Sequence, residues 1–278
     1  MQFRTILSVV DVDHWKSDLE LARRLGEETG AHLSVFVTSV AEPPPIAEYA
    51  AIADVWLREQ DKAARRLHEE VEAINAVIAA ADLSADVDSV HAERPMITGA
   101  VGRRGRYVDL VIVGPKMIAD QRLRDVVLEG ALFEAESPVL MLPEGAAPTL
   151  RPKRVMVAWS STPEASRAVR QAAEMLGSAE AVDVVLVDPQ ATSWDAGPEP
   201  GADVAAYLVR HGAKVTVERL SSERNKTVEE VLRRHAVDAA ADMVVMGAYG
   251  HSRLREWLFG GVTQSMTEKP PLPLFLAR

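Results

Sequence analysis

The stretch MGAYGHSRLREWLFGGVT, Met246 to Thr263, decides the fold. Gly247, Gly250, Gly260 and Gly261 bracket an amphipathic segment that carries Arg253, Arg255, Trp257 and Leu258. Glycine costs about 1 kcal/mol against alanine inside a helix, so this much of it at a helix start marks a place that needs bare backbone. An apolar run, DMVVMG at Asp242–Gly247, leads into it. A strand that enters a glycine loop and then a helix is a building block of a parallel α/β sheet. Ligands of such sheets sit beyond the carboxyl ends of the strands.

Outward from this stretch the chain repeats itself. DMVVMG has a counterpart in DLVIVG, Asp109–Gly114, and LREWLFGGV, Leu254–Val262, in LRDVVLEGA, Leu123–Ala131. LPLFLA, Leu272–Ala277, matches SPVLML, Ser137–Leu142, and KRVMVAWS, Lys153–Ser160, matches RTILSVVD, Arg4–Asp11. The blocks keep their order at a spacing of about 130–140 residues, which is the size of a domain rather than of a solenoid repeat. Apolar runs predict strands near 4–10, 32–39, 86–91, 109–114 and 138–142, then near 154–159, 182–187, 213–219, 242–247 and 273–277. Helical patterns fill the gaps near 17–29, 50–82, 95–106 and 123–136, then near 163–176, 202–211, 228–240 and 254–268. Strands apolar on both faces and separated by helices predict parallel sheets covered on both sides. The expectation is two tandem doubly wound α/β domains, 1–146 and 150–278, joined by PEGAAPTLRPK.

Local chemistry supports the helix boundaries. Ser17 with Glu20 and Thr227 with Glu230 have capping-box spacing. Thr162 before Pro163 reads as N-cap and first helical residue, and Gly30 and Gly177 as C-cap glycines. Ile52, Trp56, Leu67, Val71, Ile74 and Ile78 mark the core face of the long helix. The loops near 41–49 and 189–203 follow the second strand of each copy and read either as lids or as plain connections.

Composition narrows the function. The 278 residues carry a net charge of −10, with no basic stripe to displace counterions from phosphates, so nucleic acid and anionic membrane surfaces are poor partners. Without cysteine there is no disulfide, iron–sulfur cluster or thiol nucleophile, which suits a reducing cytoplasm. The first residues lack a signal-peptide pattern, and no apolar run is long enough to span a bilayer, so the expected location is cytoplasmic.

The spacing Gly247-x2-Gly250-x9-Gly260-Gly261 fits neither GxxxxGK[ST] nor GxGxxG. Backbone N–H groups at a helix start suit phosphate oxygens, and glycine lets them come close. The stretch Gly247–Thr263 resembles the nucleotide loop of the universal stress protein family, whose pattern is G-x2-G-x9-G-[S/T]. The two copies together resemble a tandem member of that family over almost the whole chain. The resemblance implies five-stranded parallel domains of strand order 3-2-1-4-5 that bind ATP or a related adenine nucleotide, with Mg²⁺ left open. It implies a stress-response regulator or sensor rather than an efficient enzyme. It also implies that two domains pair through their fifth strands. Within one chain this gives an internal pseudo-dimer with Val139–Leu142 against Leu274–Leu276, and a homodimer of the chain stays open.

Carried over residue by residue, Gly247, Gly250 and Gly260 match the three glycines, and Gly261 stands at the Ser/Thr position. Val262 matches the following apolar residue, and Thr263 is a nearby hydroxyl. Ser160 stands where the family places an acidic residue against the ribose, and Val187 and Asp188 where its backbone meets the adenine. The first copy keeps Asp11, Gly114 and Gly130, but has Ala119 opposite Gly250 and Glu129 opposite Gly260. A carboxylate about 4 Å from a phosphate costs about 4 kcal/mol at an effective dielectric of 20, so this copy is expected not to bind nucleotide in the same way.

Other chemistry finds little support. The seven histidines form no HxxxH or HExxH pattern, so no metal site is expected. His251 either meets a phosphate or faces solvent. Without a GxSxG elbow no catalytic residue is assigned. Two other readings stay open: a nucleotide-independent module that works by docking partners, and a slow ATPase.

Overall fold

The computed structural model describes residues 3–43, 50–81, 83–189, 199–222, 226–248 and 261–278. The chain divides into two compact units, Phe3–Ala135 and Glu136–Arg278.

The first unit begins with β1 (Thr5–Asp11), α1 (Trp15–Thr29), β2 (His32–Val40) and α2 (Ala50–Ala79). It continues with β3 (Ala85–Ala92), α3 (Arg94–Gly105), β4 (Leu110–Val113), α4 (Pro115–Ala119), α5 (Gln121–Glu129) and a π-helical turn, Gly130–Glu134. Its strands lie in the order β3-β2-β1-β4, all parallel. The apolar runs of β1, β2 and β4 are buried on both faces, as covered parallel strands must be.

The second unit contains β5 (Val139–Met141), β6 (Arg154–Ala158), α6 (Pro163–Gln171), α7 (Ala173–Ser178) and β7 (Ala181–Val187). Then follow α8 (Ala202–Arg210), β8 (Val215–Leu220), α9 (Val228–Asp238), β9 (Met243–Gly247), α10 (Gly261–Glu268) and β10 (Leu274–Ala277). Its strand order is β5-β10-β9-β6-β7-β8. Every pairing is parallel except β5 with β10, which is antiparallel and sets Leu274 opposite Met141 and Leu276 opposite Val139. These are the two stretches the family resemblance set against each other. The strand at 139–141, expected as the fifth of the first domain, groups with the second compact unit, where its three buried apolar residues pair antiparallel with β10.

The repeated aspartate has a structural task in both units. Asp109 Oδ2 accepts hydrogen bonds from the N–H groups of Arg4 (2.7 Å) and Thr5 (2.9 Å). Asp242 Oδ2 accepts from Lys153 (2.8 Å) and Arg154 (2.9 Å). Asp109 clamps the entry of β1 to that of β4 and Asp242 the entry of β6 to that of β9, which fixes the register of these central pairs.

Two capping expectations need correction. Helix α1 starts at Trp15, ahead of Ser17, and its N-cap His14 makes no side-chain cap bond. Ser17 donates its hydroxyl to Asp18 instead, and Glu20 pairs with Arg23 and Arg24. Gly177 lies inside α7 rather than capping it, where a Cβ would run into the His211 carbonyl. The other caps are as expected: Thr162 Oγ1 accepts from Ala165 N, Thr227 and Glu230 form a capping box, and Gly30 is left-handed at φ 68°.

Candidate functional site

Of the predicted site residues, Ser160, Val187 and Gly247 lie at the carboxyl ends of β6, β7 and β9, and Gly261, Val262 and Thr263 lie on α10. Where β6 ends, the backbone turns sharply: Ser161 has φ +57°. Where β7 ends it does so again, with Asp188 at φ +47°. Left-handed residues other than glycine cost roughly 1–2 kcal/mol each, and such positions cluster where a site is held in shape.

Between these turns lies an open cleft of about 350 Å³, lined by Trp159, Ser161, Thr162, Pro163, Ser166, Gly201, Asp203 and Val204. Thr162 and Ser166 come from the first turns of α6, and Asp203 and Val204 from the first turn of α8. Gly201, with φ +89°, packs so closely on Leu186 and Val217 that a Cβ would lie 2.9 Å from both. The end of the 189–203 loop thus forms a wall of the cleft. Residues 190–198 lie outside the described residues, as do 44–49 of the other candidate lid.

Gly247 closes β9 against the same first turn of α6. A Cβ there would strike Ala165 N and lie 2.6 Å from the Glu164 carbonyl carbon. Its glycine is therefore required by helix packing, whatever else it contacts. Gly261, at the start of α10, is exposed, and a Cβ there would meet no described atom within 4 Å. Thr263 is buried with Met266 and Thr267 on the packed face of α10, while Val262 is half-buried. Gly250, His251 and Gly260 lie outside the described residues.

Ser160 is not part of the cleft wall. Its hydroxyl lies 3.3 Å from Thr162 Oγ1, within its own loop. Val187 ends β7 half-buried. Next to it, Asp188 accepts from the Ser222 hydroxyl, from Ser222 N–H (3.0 Å) and from the Ser221 hydroxyl (3.2 Å). The Ser222 bonds, through hydroxyl and N–H, hold this carboxyl below its ordinary range. Thr162, read from the sequence as a helix cap, also lines the cleft, and Trp159, Ser161, Ser166 and Asp203 join it there.

The first unit builds the same corner differently. Asp18, the fourth residue of α1, is 2% exposed and accepts from the N–H groups of Lys116 and Met117, both at 3.0 Å. Burial nevertheless pushes its carboxyl up from the ordinary range, against the pull of these two bonds. A Cβ at Gly114 would lie 2.6 Å from Asp18 Cβ. Asp120 caps α5 by accepting from Leu123 N–H at 3.0 Å. Asp11 turns back on its own loop, accepting from Asp13 N–H at 2.9 Å, and burial raises its carboxyl. Gly130 is fixed by packing, since a Cβ would sit 2.6 Å from the Thr98 carbonyl.

Among the described residues, no group of three or more His, Asp or Glu side chains converges as a metal site, and no helix is long and apolar enough to cross a membrane.

Comparison with known proteins places the second unit. Residues 152–278 match the family model Usp, the universal stress protein family. The chain is 35% identical over 71 residues to universal stress protein Slr1230 of Synechocystis sp.. That match covers 26% of this chain and about a quarter of the relative, 23% of its length. A universal stress protein from Archaeoglobus fulgidus DSM 4304 has a similar structure, with a TM-score of 0.64 at 15% identity, covering 100% of this chain and 99% of that one. A protein of unknown function, PA1789 of Pseudomonas aeruginosa PAO1, follows with 0.55 at 17%, covering 99% and 92%. At these identities the two structures speak for the fold alone. Residues 152–278 thus match the Usp family model, and the architecture is a doubly wound α/β fold like that of the Archaeoglobus protein.

Proposed function

We propose that this chain is a tandem universal stress protein, with Usp-like domains at 1–146 and 150–278, acting as a cytoplasmic stress-response sensor. Its C-terminal domain binds ATP or a related adenine nucleotide. The assigned phosphate donors are the backbone N–H groups of Gly250, Gly260 and Gly261, with His251, Val262 and Thr263 as further binding residues and Mg²⁺ as an optional companion. Gly247, Ser160 and Val187 border the nucleoside. The observation that carries this reading is the open cleft at the carboxyl edge of β6, one strand away from the Gly247-x2-Gly250-x9-Gly260 spacing of a Usp domain. Gly261 supports it further. Packing demands glycine at Gly247, but nothing described demands it at Gly261, where close approach of a ligand would.

The test is thermal unfolding with and without Mg-ATP, for the wild type and Gly260→Glu. This substitution transplants Glu129 of the first copy. Ligand at about 100 times its Kd adds roughly 2.7 kcal/mol to the domain that binds it. The shift is expected in the wild type and not in the folded variant. No shift at millimolar ATP, in protein free of copurified nucleotide, overturns the proposal. The rival, a module that docks partners without nucleotide, draws on one observation: Ser160 contacts Thr162 rather than lining the cleft.

A further inference from the structure

The lining of the cleft has a lopsided chemistry. It offers three hydroxyls, from Ser161, Thr162 and Ser166, one aromatic residue, Trp159, and one carboxylate, Asp203; among the described residues no lining side chain is cationic. Asp203 is exposed in the first turn of α8 and has no hydrogen-bond or ion-pair partner among the described residues. An ionised carboxylate is an acceptor only, with two oxygens to fill. Beside it, phosphate is repelled and neutral O–H donors are favoured. A vicinal diol fits, since its two O–H groups can donate to the two carboxylate oxygens.

We infer that Asp203 is the specificity-determining residue of this cleft, accepting hydrogen bonds from the vicinal hydroxyls of a ribose-bearing ligand. The inference rests on the nucleotide reading above and gives it an orientation. The sugar end meets α8, and the phosphates point away from Asp203, the one acid among the described lining residues. An acidic residue in a first helical turn also favours the helix dipole. That role predicts some loss of stability on substitution, but no discrimination between sugars.

The experiment measures the binding of ATP and of 2′,3′-dideoxy-ATP to the full chain, wild type and Asp203→Asn, by calorimetry. Thermal unfolding confirms that both proteins are folded. Hydrogen bonds to a charged group correspond to roughly 10–100-fold in affinity. The wild type is expected to prefer ATP over the dideoxy analogue by at least about 10-fold. Asp203→Asn is expected to bind ATP as weakly as the wild type binds the analogue, and to lose the preference. If the wild type binds ATP and the variant keeps the full preference, Asp203 has no such role and the nucleotide reading stands. If the wild type binds neither nucleotide, both readings fall. A variant that is less stable but binds with unchanged preference assigns Asp203 to the helix dipole alone.

Discussion

Helices α1 and α6, which follow β1 and β6, pack their first turns against Gly114 after β4 and Gly247 at the end of β9, and their fourth residues differ. In α1 that residue is Asp18, buried and bonded to the N–H groups of Lys116 and Met117. In α6 it is Ser166, half-buried in the wall of a cleft of about 350 Å³. One position thus supplies a buried carboxyl in one unit and a small hydroxyl beside open space in the other. A buried N–H left without an acceptor is costly, and Asp18 satisfies the N–H groups of Lys116 and Met117 from within the protein. On the nucleotide reading proposed above, a ligand phosphate takes that part in the second unit.

The strongest way to break this comparison is to add one methyl group to each unit's strand-ending glycine. At Gly247 the obstacle is the backbone of α6, at Ala165 N and the Glu164 carbonyl carbon. At Gly114 it is the Asp18 side chain. Overpacking costs typically about 1–3 kcal/mol, and backbone yields less readily than a side chain. Gly247→Ala should therefore cost about 3 kcal/mol and Gly114→Ala about 2 kcal/mol. Urea unfolding would measure both, with hydrogen exchange in β9 and β4 assigning the loss to a unit. Equal costs would mean that Asp18 is as immovable as backbone.

A smaller effect sharpens the contrast at the fourth helical residue. Asp18→Ala removes the acceptor of two N–H groups and should cost about 2 kcal/mol. Ser166→Ala removes a hydroxyl that faces the cleft, and should stay within about 0.5 kcal/mol. Chemical denaturation of the two variants checks this. A large loss at Ser166 would show that the cleft wall is structural rather than open for a ligand.

Much of this scaffold was legible in the sequence, and for physical reasons. Among the described residues, the strands buried on both faces, such as β1, β2 and β4, announced themselves as continuous apolar runs, whereas β3 and β8 carry polar, partly exposed residues. The DLVIVG and DMVVMG repeat carried not only β4 and β9 but also the aspartates that fix their register. Thr162-Pro163 and Thr227–Glu230 were readable because capping acts over three residues. The start of α1 was misread, because Asp18 acts across 98 residues on Lys116 and no local pattern reveals that. The site was less legible than the fold. Glycine spacing is a local signal, but Asp203 and Ser166 reach the same cleft from different helices, a juxtaposition made only by the tertiary fold. The strand at 139–141 was placed correctly, but its unit was decided by its pairing with β10.

The smallest effect separates the corners by their response to acid. Burial raises the Asp18 carboxyl above its unfolded value of 3.8. The stability it contributes is then complete below that value and is lost as pH rises through the folded pKa. Asp188, held by Ser222 and Ser221, is lowered from the same 3.8. Its contribution is present above that value and is lost as pH falls through the folded pKa. Comparison with non-titrating variants isolates each group from Glu20, which Arg23 and Arg24 hold at about 2. As pH is lowered from 6 toward 3, the cost of Asp18→Asn should grow and the cost of Asp188→Asn should shrink. Asp188 is fully exposed, so its slope should be the shallower and should flatten in added salt. Parallel slopes for the two variants in urea titrations across that range would mean that the Asp18 carboxylate is stabilised by its two N–H donors more than burial penalises it. The first unit would then hold an ionised anion in its corner at neutral pH, the part that the nucleotide proposed above would take in the second unit.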